Sequence, residues 1–470
     1  MNRYTSSIFI FIVVVSLFIS ACKKESFITS PDATLTLSAD TIKFDTVFSS
    51  VGSITQSIKI TNQNNQKLLL SNIKLMGGNN SSYKININGI PANETSDVEI
   101  AANDSIYIFI SVTINPGLNN LPFIVSDSIR INYNGNSKFV QLQAYGQNAH
   151  FLNNQIISGN TIWENDLPYV ILGSLRVDSN ATLNINAGCK IYSHANAPFL
   201  IDGSLKINGT KNNEVQFAGD RLDEYYKDLP ASWPGIYFRS SSKDNFLKYA
   251  IIKNATQAVV VTDPSINGAP KLTLQQCIID NAYQTGLLAL NSNVVADNSL
   301  ISNCGSNINI QLGGNYIFTN CTVAAYSNLL LLHNNPVLQI TNFNFQNGNL
   351  ITENLNALFQ NCIFWGEGGS TSNEVNINKE GNNTFNVTLE NCLYKAAVDP
   401  SNTTLLSVIK NQDPQFDSID VYHRYYDFRT TKEPIAPGID NGIITSFQYD
   451  LDANQRTIGI STDIGCYEKQ

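Results

Sequence analysis

Leu274-Gln275-Gln276-Cys277-Ile278-Ile279, Ala296-Asp297-Asn298-Ser299-Leu300-Ile301, Phe318-Thr319-Asn320-Cys321-Thr322-Val323 and Ile340-Thr341-Asn342-Phe343-Asn344-Phe345 repeat one pattern at an interval of 22 residues. Ala250-Ile251-Ile252 precedes Cys277 by 27 residues, Cys362-Ile363-Phe364 follows Phe343 by 19, and Cys392-Leu393-Tyr394 comes 30 later, across a Gly-rich insertion at 366–369. Repeats of this length mark a solenoid. Within each repeat the residue three before the anchor, the anchor, and the residue two after it are apolar or small. These three cannot share one face of an unbroken strand, because side chains alternate. A corner must therefore lie just before the anchor. Asn stands there at 298, 320, 342, 361 and 391, and Gln at 276. Asn tolerates the left-handed backbone a sharp corner needs. Stacked coils would pile these side chains into a mutually hydrogen-bonded ladder. They would also pile Cys277, Ser299 and Cys321 into an internal ladder of small residues, with the cysteines as core thiols.

The pattern predicts an all-β chain, and composition agrees. Of 470 residues, 43% are hydrophobic, 10% aromatic and only 14% charged. Soluble proteins carry about 25% charged residues; here Asn, Ser, Thr, Gln and Gly replace them. Such a chain is neither a helical bundle nor a polytopic membrane protein. A net charge of −9 offers nothing to a nucleic-acid backbone.

Before residue 150 the period is two. Ile106, Ile108, Ile110, Val112 and Ile114 alternate with Tyr107, Phe109, Ser111 and Thr113, and shorter alternations surround Ile58, Ile129 and Leu142. Turn clusters at 77–80 and 133–136 separate them. Residues 34–148 are thus expected to form an immunoglobulin-like β-sandwich. The runs Asp45-Thr46-Val47-Phe48, Ile58-Lys59-Ile60-Thr61-Asn62 and Val140-Gln141-Leu142-Gln143-Ala144-Tyr145-Gly146 resemble Hydin-type, ASH-like immunoglobulin domains. That resemblance implies a spacer or protein-contact module.

At the amino end, Arg3 precedes an apolar run over residues 8–19, which is too short to span a bilayer and long enough for a signal peptide. The sequence Ile19-Ser20-Ala21-Cys22 resembles the bacterial lipobox. The resemblance implies cleavage after residue 21, lipidation (palmitate included) of Cys22, a tether over 22–33, and an outer-membrane lipoprotein facing the periplasm or the exterior.

From 149 to 470 the chain resembles right-handed parallel β-helix repeat lipoproteins of Bacteroidetes. The resemblance rests on Gly159-Asn160-Thr161-Ile162-Trp163, Gly173-Ser174-Leu175-Arg176-Val177, Asp202-Gly203-Ser204-Leu205 and Trp233-Pro234-Gly235-Ile236. The tail, Asp413-Pro414-Gln415-Phe416, Ala436-Pro437-Gly438-Ile439-Asp440 and Asp463-Ile464-Gly465-Cys466-Tyr467-Glu468, resembles their closing cap, placed at about 396–470. Parallel β-helices host many functions, so the resemblance implies fold rather than activity.

Three clusters are candidates for chemistry. The loop from Asp220 to Asp228, continued to Trp233, mixes charge and rings. Arg221, Asp223, Tyr225, Tyr226, Lys227 and Trp233 are the expected ligand-binding residues, with tyrosines stacking on sugar rings and Arg221 or Lys227 meeting carboxylates. The segment Tyr422-His423-Arg424-Tyr425-Tyr426-Asp427-Phe428-Arg429 is similar in kind, though its place beside the tail motif favours a structural role. Asp450, Asp452 and Asn454 have the spacing that opens a Ca²⁺ loop, but Gln455 stands where Gly is needed and Ser461 where the closing Glu belongs. No zinc spacing, HExxH, G-x-S-x-G, P-loop or pectinase signature occurs. The reading is a monomeric, lipid-anchored protein without metal or cofactor that presents a β-helix to a glycan or envelope protein, leaning to a non-enzyme. The alternative is a polysaccharide lyase or glycoside hydrolase of the β-helix type, with Ca²⁺ entering only in the lyase case. Acids plus Lys or Arg in one groove would favour the enzyme. Exposed aromatics without that charge would favour binding.

Overall fold

A computed structural model describes residues 26–48, 52–114, 123–223, 226–430 and 436–470. The signal segment, Cys22, Glu224 and Tyr225 lie outside these residues. The chain forms two units, Met1–Asn148 and Ala149–Gln470.

The first unit packs two five-stranded sheets face to face. One orders strands Leu35–Leu37, Gln56–Asn62, Ser105–Val112, Tyr83–Ile87 and Ile90–Pro91. The other orders Thr41–Phe48, Asn136–Gln147, Phe123–Tyr133, Leu68–Leu75 and Glu94–Ile100. The predicted alternation is realised: Ile106, Ile108, Ile110 and Val112 are buried while Tyr107 and Phe109 face solvent. Pairing is antiparallel except between Asn136–Gln147 and Thr41–Phe48. This is an immunoglobulin-like sandwich.

The second unit is a parallel β-helix, with 26 strands in one continuous winding. One coil comprises a first strand Ala250–Lys253, a second Gln257–Thr262 and a third Leu272–Gln275. Each pairs in parallel with its counterpart one coil on. Parallel crossovers wind right-handed in nearly all proteins. Gln276, Asn298, Asn320, Asn361 and Asn391 have φ between 47° and 54°, the left-handed corner the sequence demanded between third and first strands.

Two expectations about the repeat are corrected. Phe343-Asn344-Phe345 is not an anchor. Phe343–Gln346 turns back on Asn349–Thr352 as an antiparallel hairpin outside the solenoid, and Thr322 pairs instead with Ile363. Asn347-Gly348 explains the departure: φ of 50° and 80° at a two-residue loop is the turn that Asn-Gly specifies. The corner amides, moreover, mostly do not bond one another. Asn361 donates to Asn320 Oδ1 at 2.9 Å, but Gln276, Asn298 and Asn391 bond the carboxy-terminal tail. Asn342 is spent on the hairpin's surroundings, bracketing the backbone of Glu380.

The tail is likewise not simply an end cap. Residues 404–410 build the last coil through Thr404–Leu406 and Ile409–Lys410. The chain then returns along the outer side of the first strands. Phe416, Phe428, Leu451, Ile464 and Cys466 pack there on Leu300, Ala324, Ile363, Trp365 and Leu393. The tail is pinned by Arg456, which is 3% exposed. Its guanidinium donates to Asn298 Oδ1 (2.7 Å), the Gly465 carbonyl (2.8 Å) and Glu468 Oε2 (3.3 Å). Inside the helix, Cys277, Cys321, Cys362 and Cys392 are free thiols. Each donates to the carbonyl three residues before the anchor of the preceding coil: Leu247, Ala296, Phe318 and Phe359.

Candidate functional site

The corner between first and second strands carries a second run of left-handed amides. Asn254, Asn281 and Asn303 have φ of 64°, 57° and 50° in three successive coils. Asn281 donates to Asn254 Oδ1 at 2.7 Å. The long loop at 220–232 leaves the helix at this same corner, one coil earlier, between Val215–Gly219 and Ile236–Phe238. It is held against the amides by its backbone. Asn254 donates to the Lys227 carbonyl (2.7 Å) and Asn281 to the Asp228 carbonyl (3.0 Å).

The tail supplies the opposite wall. Ser418–Asp420 and Tyr425–Asp427 form a hairpin whose turn carries His423 and Arg424. Asp420 shapes that turn by accepting the backbone N–H of His423 and bonding His423 Nδ1 at 2.6 Å, which holds its carboxyl below the usual range. Arg424 Nη1 donates to the Asp228 carbonyl at 3.0 Å, and Asn328 donates to the Tyr426 hydroxyl at 3.3 Å. Between the walls lies a groove of about 150 Å³ lined by Asp228, Lys253, Asn254, Asp280, Asn281, Asn303, Asn328, His423, Arg424 and Tyr426.

The groove is polar and of mixed charge. Asp280 is tied to its neighbours: Oδ1 accepts from Ser302 Oγ at 2.7 Å, and Oδ2 lies 3.9 Å from Lys253 Nζ. The guanidinium of Arg424 donates to the Asp228 carbonyl, and the carboxylates of Asp228 and Asp280 line the same groove. The floor amides are largely engaged: Asn281 spends both amide hydrogens on the Asp228 carbonyl and Asn254 Oδ1, and Asn303 Oδ1 accepts the Tyr326 N–H at 3.2 Å.

The expected ligand-binding residues divide. Arg221 lies over the Tyr226 ring at 3.8 Å and its Nε donates to Asp223 at 3.2 Å. Among the described residues, the buried atoms Arg221 Nη2 and Asp223 Oδ1 of this cluster have no hydrogen-bond partner. At the start of the loop the buried Asp220 carboxylate bonds Nδ1 of the half-exposed His194 at 2.7 Å. Lys227 is exposed and contributes its carbonyl to Asn254. Tyr225 lies outside the described residues. Trp233 is corrected: it is fully buried, its indole N–H donates to the Lys253 carbonyl at 2.8 Å, and it belongs to the solenoid core. Asp450 accepts the backbone N–H groups of Asn454 and Glu468, and Asp452 pairs with Lys211 and Arg429, so this triplet builds the tail. Among the described residues no group of three or more His, Cys, Asp or Glu is placed to hold a metal ion.

Sequence reasoning found both walls but missed the floor. Lys253-Asn254, Asp280-Asn281 and Ser302-Asn303 recur with the intervals of the anchors, 27 and then 22 residues, and could have marked it.

No protein-family model matches the chain, and no curated protein matches it in sequence. Solved structures give short overlaps. A family 123 glycoside hydrolase from Clostridium perfringens, studied for glycolipid glycan hydrolysis, aligns at 12% identity and a TM-score of 0.19, covering 28% of this chain and 30% of that one. The seventh PapD-like (ASH) domain of human CEP192 aligns at 10% identity and a TM-score of 0.17, covering 27% of this chain and 95% of that domain. The chain thus spans under a third of the hydrolase, and scores this low assign no function.

Proposed function

We propose that the protein is a cell-envelope lipoprotein of the Bacteroidetes β-helix repeat kind, anchored through Cys22, in which a Hydin-like immunoglobulin-like domain is a spacer and the β-helix binds a glycan. The observation that carries the glycan reading is the groove. It brings the long loop and the tail hairpin, two clusters far apart in sequence, onto one floor of stacked amides. Hydroxyl-rich ligands are recognised by such planar amide and charged groups, with an aromatic ring such as Tyr426 for the sugar's apolar face. The second reading is a polysaccharide lyase or hydrolase. It is favoured by one observation: Asp228 and Asp280 share the groove with Lys253 and Arg424, the mixture of acids and bases an enzyme would need. Against it, Asp280 is engaged by Ser302 and faces Lys253.

The test is a polysaccharide screen that reads binding and chain cleavage in parallel, on the native protein and on the Asn281→Leu and Asp280→Asn variants. Binding without cleavage, lost in Asn281→Leu, is the expected result. Cleavage lost in Asp280→Asn would establish the enzyme instead. Absence of both, across neutral and acidic glycans, would refute the glycan reading altogether.

A further inference from the structure

Strands in the body of the solenoid are paired on both sides. Leu355–Gln360, for example, pairs with Ile308–Thr319 before it and with Phe385–Glu390 after it. The last coil is paired on one side only. Thr404–Leu406 pairs back to Phe385–Glu390 and Ile409–Lys410 to Leu393–Tyr394, and among the described residues no strand pairs with their other edge. The core also stops short here. Leu389 is fully buried, whereas Leu405, which stacks on it one coil later, and Val408 are half-buried, and Leu406 is 45% exposed.

An open edge is a template for pairing with another chain, and proteins blunt such edges with charge, proline or covering side chains. The sandwich is blunted in this way. Lys138 Nζ donates to the carbonyl of Leu35 on one edge strand at 2.7 Å, and Gln56 Nε2 donates to that of Lys43 on another at 2.6 Å. The solenoid end has no such device. Residues 401–409 contain neither an ionisable group nor a proline, in a chain of net charge −9, and the flanking Lys410 and Asp399 pair with each other at 2.6 Å. A terminal repeat that must face water normally turns a polar side outward. A single added segment would satisfy one of the two edges. A second copy brings the same two edges and the same half-buried Leu405 and Val408 at once, and neither end meets a like charge.

We propose that two copies of the chain associate end to end through their last coils, about a two-fold axis, with Thr404–Leu406 of each copy paired antiparallel. Identical strands related by a two-fold axis must run antiparallel, and such an isologous contact closes at two copies. This replaces the monomer expected from the sequence with a dimer.

Sedimentation velocity of the full-length protein in detergent, over roughly 1 to 100 μM, the range suited to a small interface, reads the mass. A concentration-dependent step from one chain to two is expected. Thr404→Lys with Leu406→Lys sets like charges against each other across the contact and should raise the dissociation constant roughly tenfold or more. Both side chains are exposed or half-exposed, so the melting temperature should stay in place. Tyr107→Lys, on the exposed face of the sandwich, should leave the dimer intact. Leu406→Cys adds an exposed thiol to a chain whose described cysteines are all buried, and a short bismaleimide should join it into a covalent pair of chains. Tyr107→Cys should give none. One chain at every concentration, with Leu406→Cys left unjoined, would overturn the proposal. A dimer indifferent to the lysine pair would place the contact elsewhere and overturn it equally. Species that grow beyond two chains would overturn the closed two-fold arrangement.

Discussion

Replacing Arg456 by Ala removes the residue that fastens the tail to the helix. The side chain is 3% exposed and donates to Asn298, the Gly465 carbonyl and Glu468. Glu468, 5% exposed, keeps its bonds from the backbone of Thr457 and Asp463 and from the Thr462 hydroxyl, but loses its cation. Breaking a buried ion pair from one side costs about 3–5 kcal/mol. That cost falls on the docked tail, because the coils beneath retain their own ladders. At about 1.4 kcal/mol per factor of ten, amide exchange in the tail should quicken roughly 10² to 10³·⁵-fold. The reporters are the N–H groups of Ile464, bonded to the Gly438 carbonyl, Gly465, bonded to the Asn361 carbonyl, and Cys466, bonded to Thr322 Oγ1. Hydrogen exchange read by mass spectrometry resolves these peptides from the coils. The double variant Arg456→Met, Glu468→Gln should recover a large part of the loss, since it leaves no unpaired buried charge. Tail exchange in Arg456→Ala within about threefold of the native protein would refute the idea that this pair holds the strap.

Burial raises the Asp297 carboxyl to about 7 and that of Asp463 to about 6. The folded protein therefore keeps protons that the unfolded chain releases near ~3.9. This contribution is full below pH ~4 and lost as pH rises towards 7, up to about 4 kcal/mol for Asp297. Asp297→Asn should flatten the fall of urea stability over that window and raise the midpoint at pH 8; an unchanged slope refutes this. Burial also lifts the Cys277 thiol to about 12, and those of Cys321 and Cys362 well above their ordinary value. Alkylation of native protein at pH 8 should leave Cys277, Cys321, Cys362 and Cys392 unmodified, and all four should react after denaturation; a native disulfide among them contradicts the ladder. Trp233→Ala should cost about 3–5 kcal/mol as a core truncation, visible as a lower urea midpoint, whereas a surface ligand-binding residue would leave the midpoint in place. Cys22→Ser should move the protein out of the membrane fraction, and unchanged retention would refute the lipid anchor.

The solenoid was legible because its corner leaves a signature of three phases: an apolar residue, an amide, then a small residue. The sandwich was legible from strict alternation. The hairpin at 343–352 was misread because Phe343 falls on the period by coincidence, and Asn347-Gly348 went unweighted against it. The role of the corner amides was missed for a different reason. Their partners lie in the tail: the carbonyls of Asp450, Asn441 and Ile443, and the Arg456 guanidinium. The anchors did hold a clue. Ile278, Leu300, Ile363 and Leu393 make the first strands apolar at consecutive positions, which means both faces are covered. The groove was half legible, because charge and rings flag a loop, while Asn254, Asn281 and Asn303 pass for ordinary turn residues. Trp233 shows the opposite error, an aromatic beside a polar loop counted with it although its side chain points home.

The returning tail changes how the helix comes apart. In a bare solenoid each coil touches only its neighbours, so unfolding travels from an end one coil at a time. Here a single segment touches Gln276, Asn298, Asn320, Asn361 and Asn391 in turn. Coils from 276 to 391 share one fastening and must be released together. The coils before residue 208 have no such bond among the described residues. A pulling or proteolysis experiment would find them fraying in small steps, and then one large, abrupt event as the strap lets go.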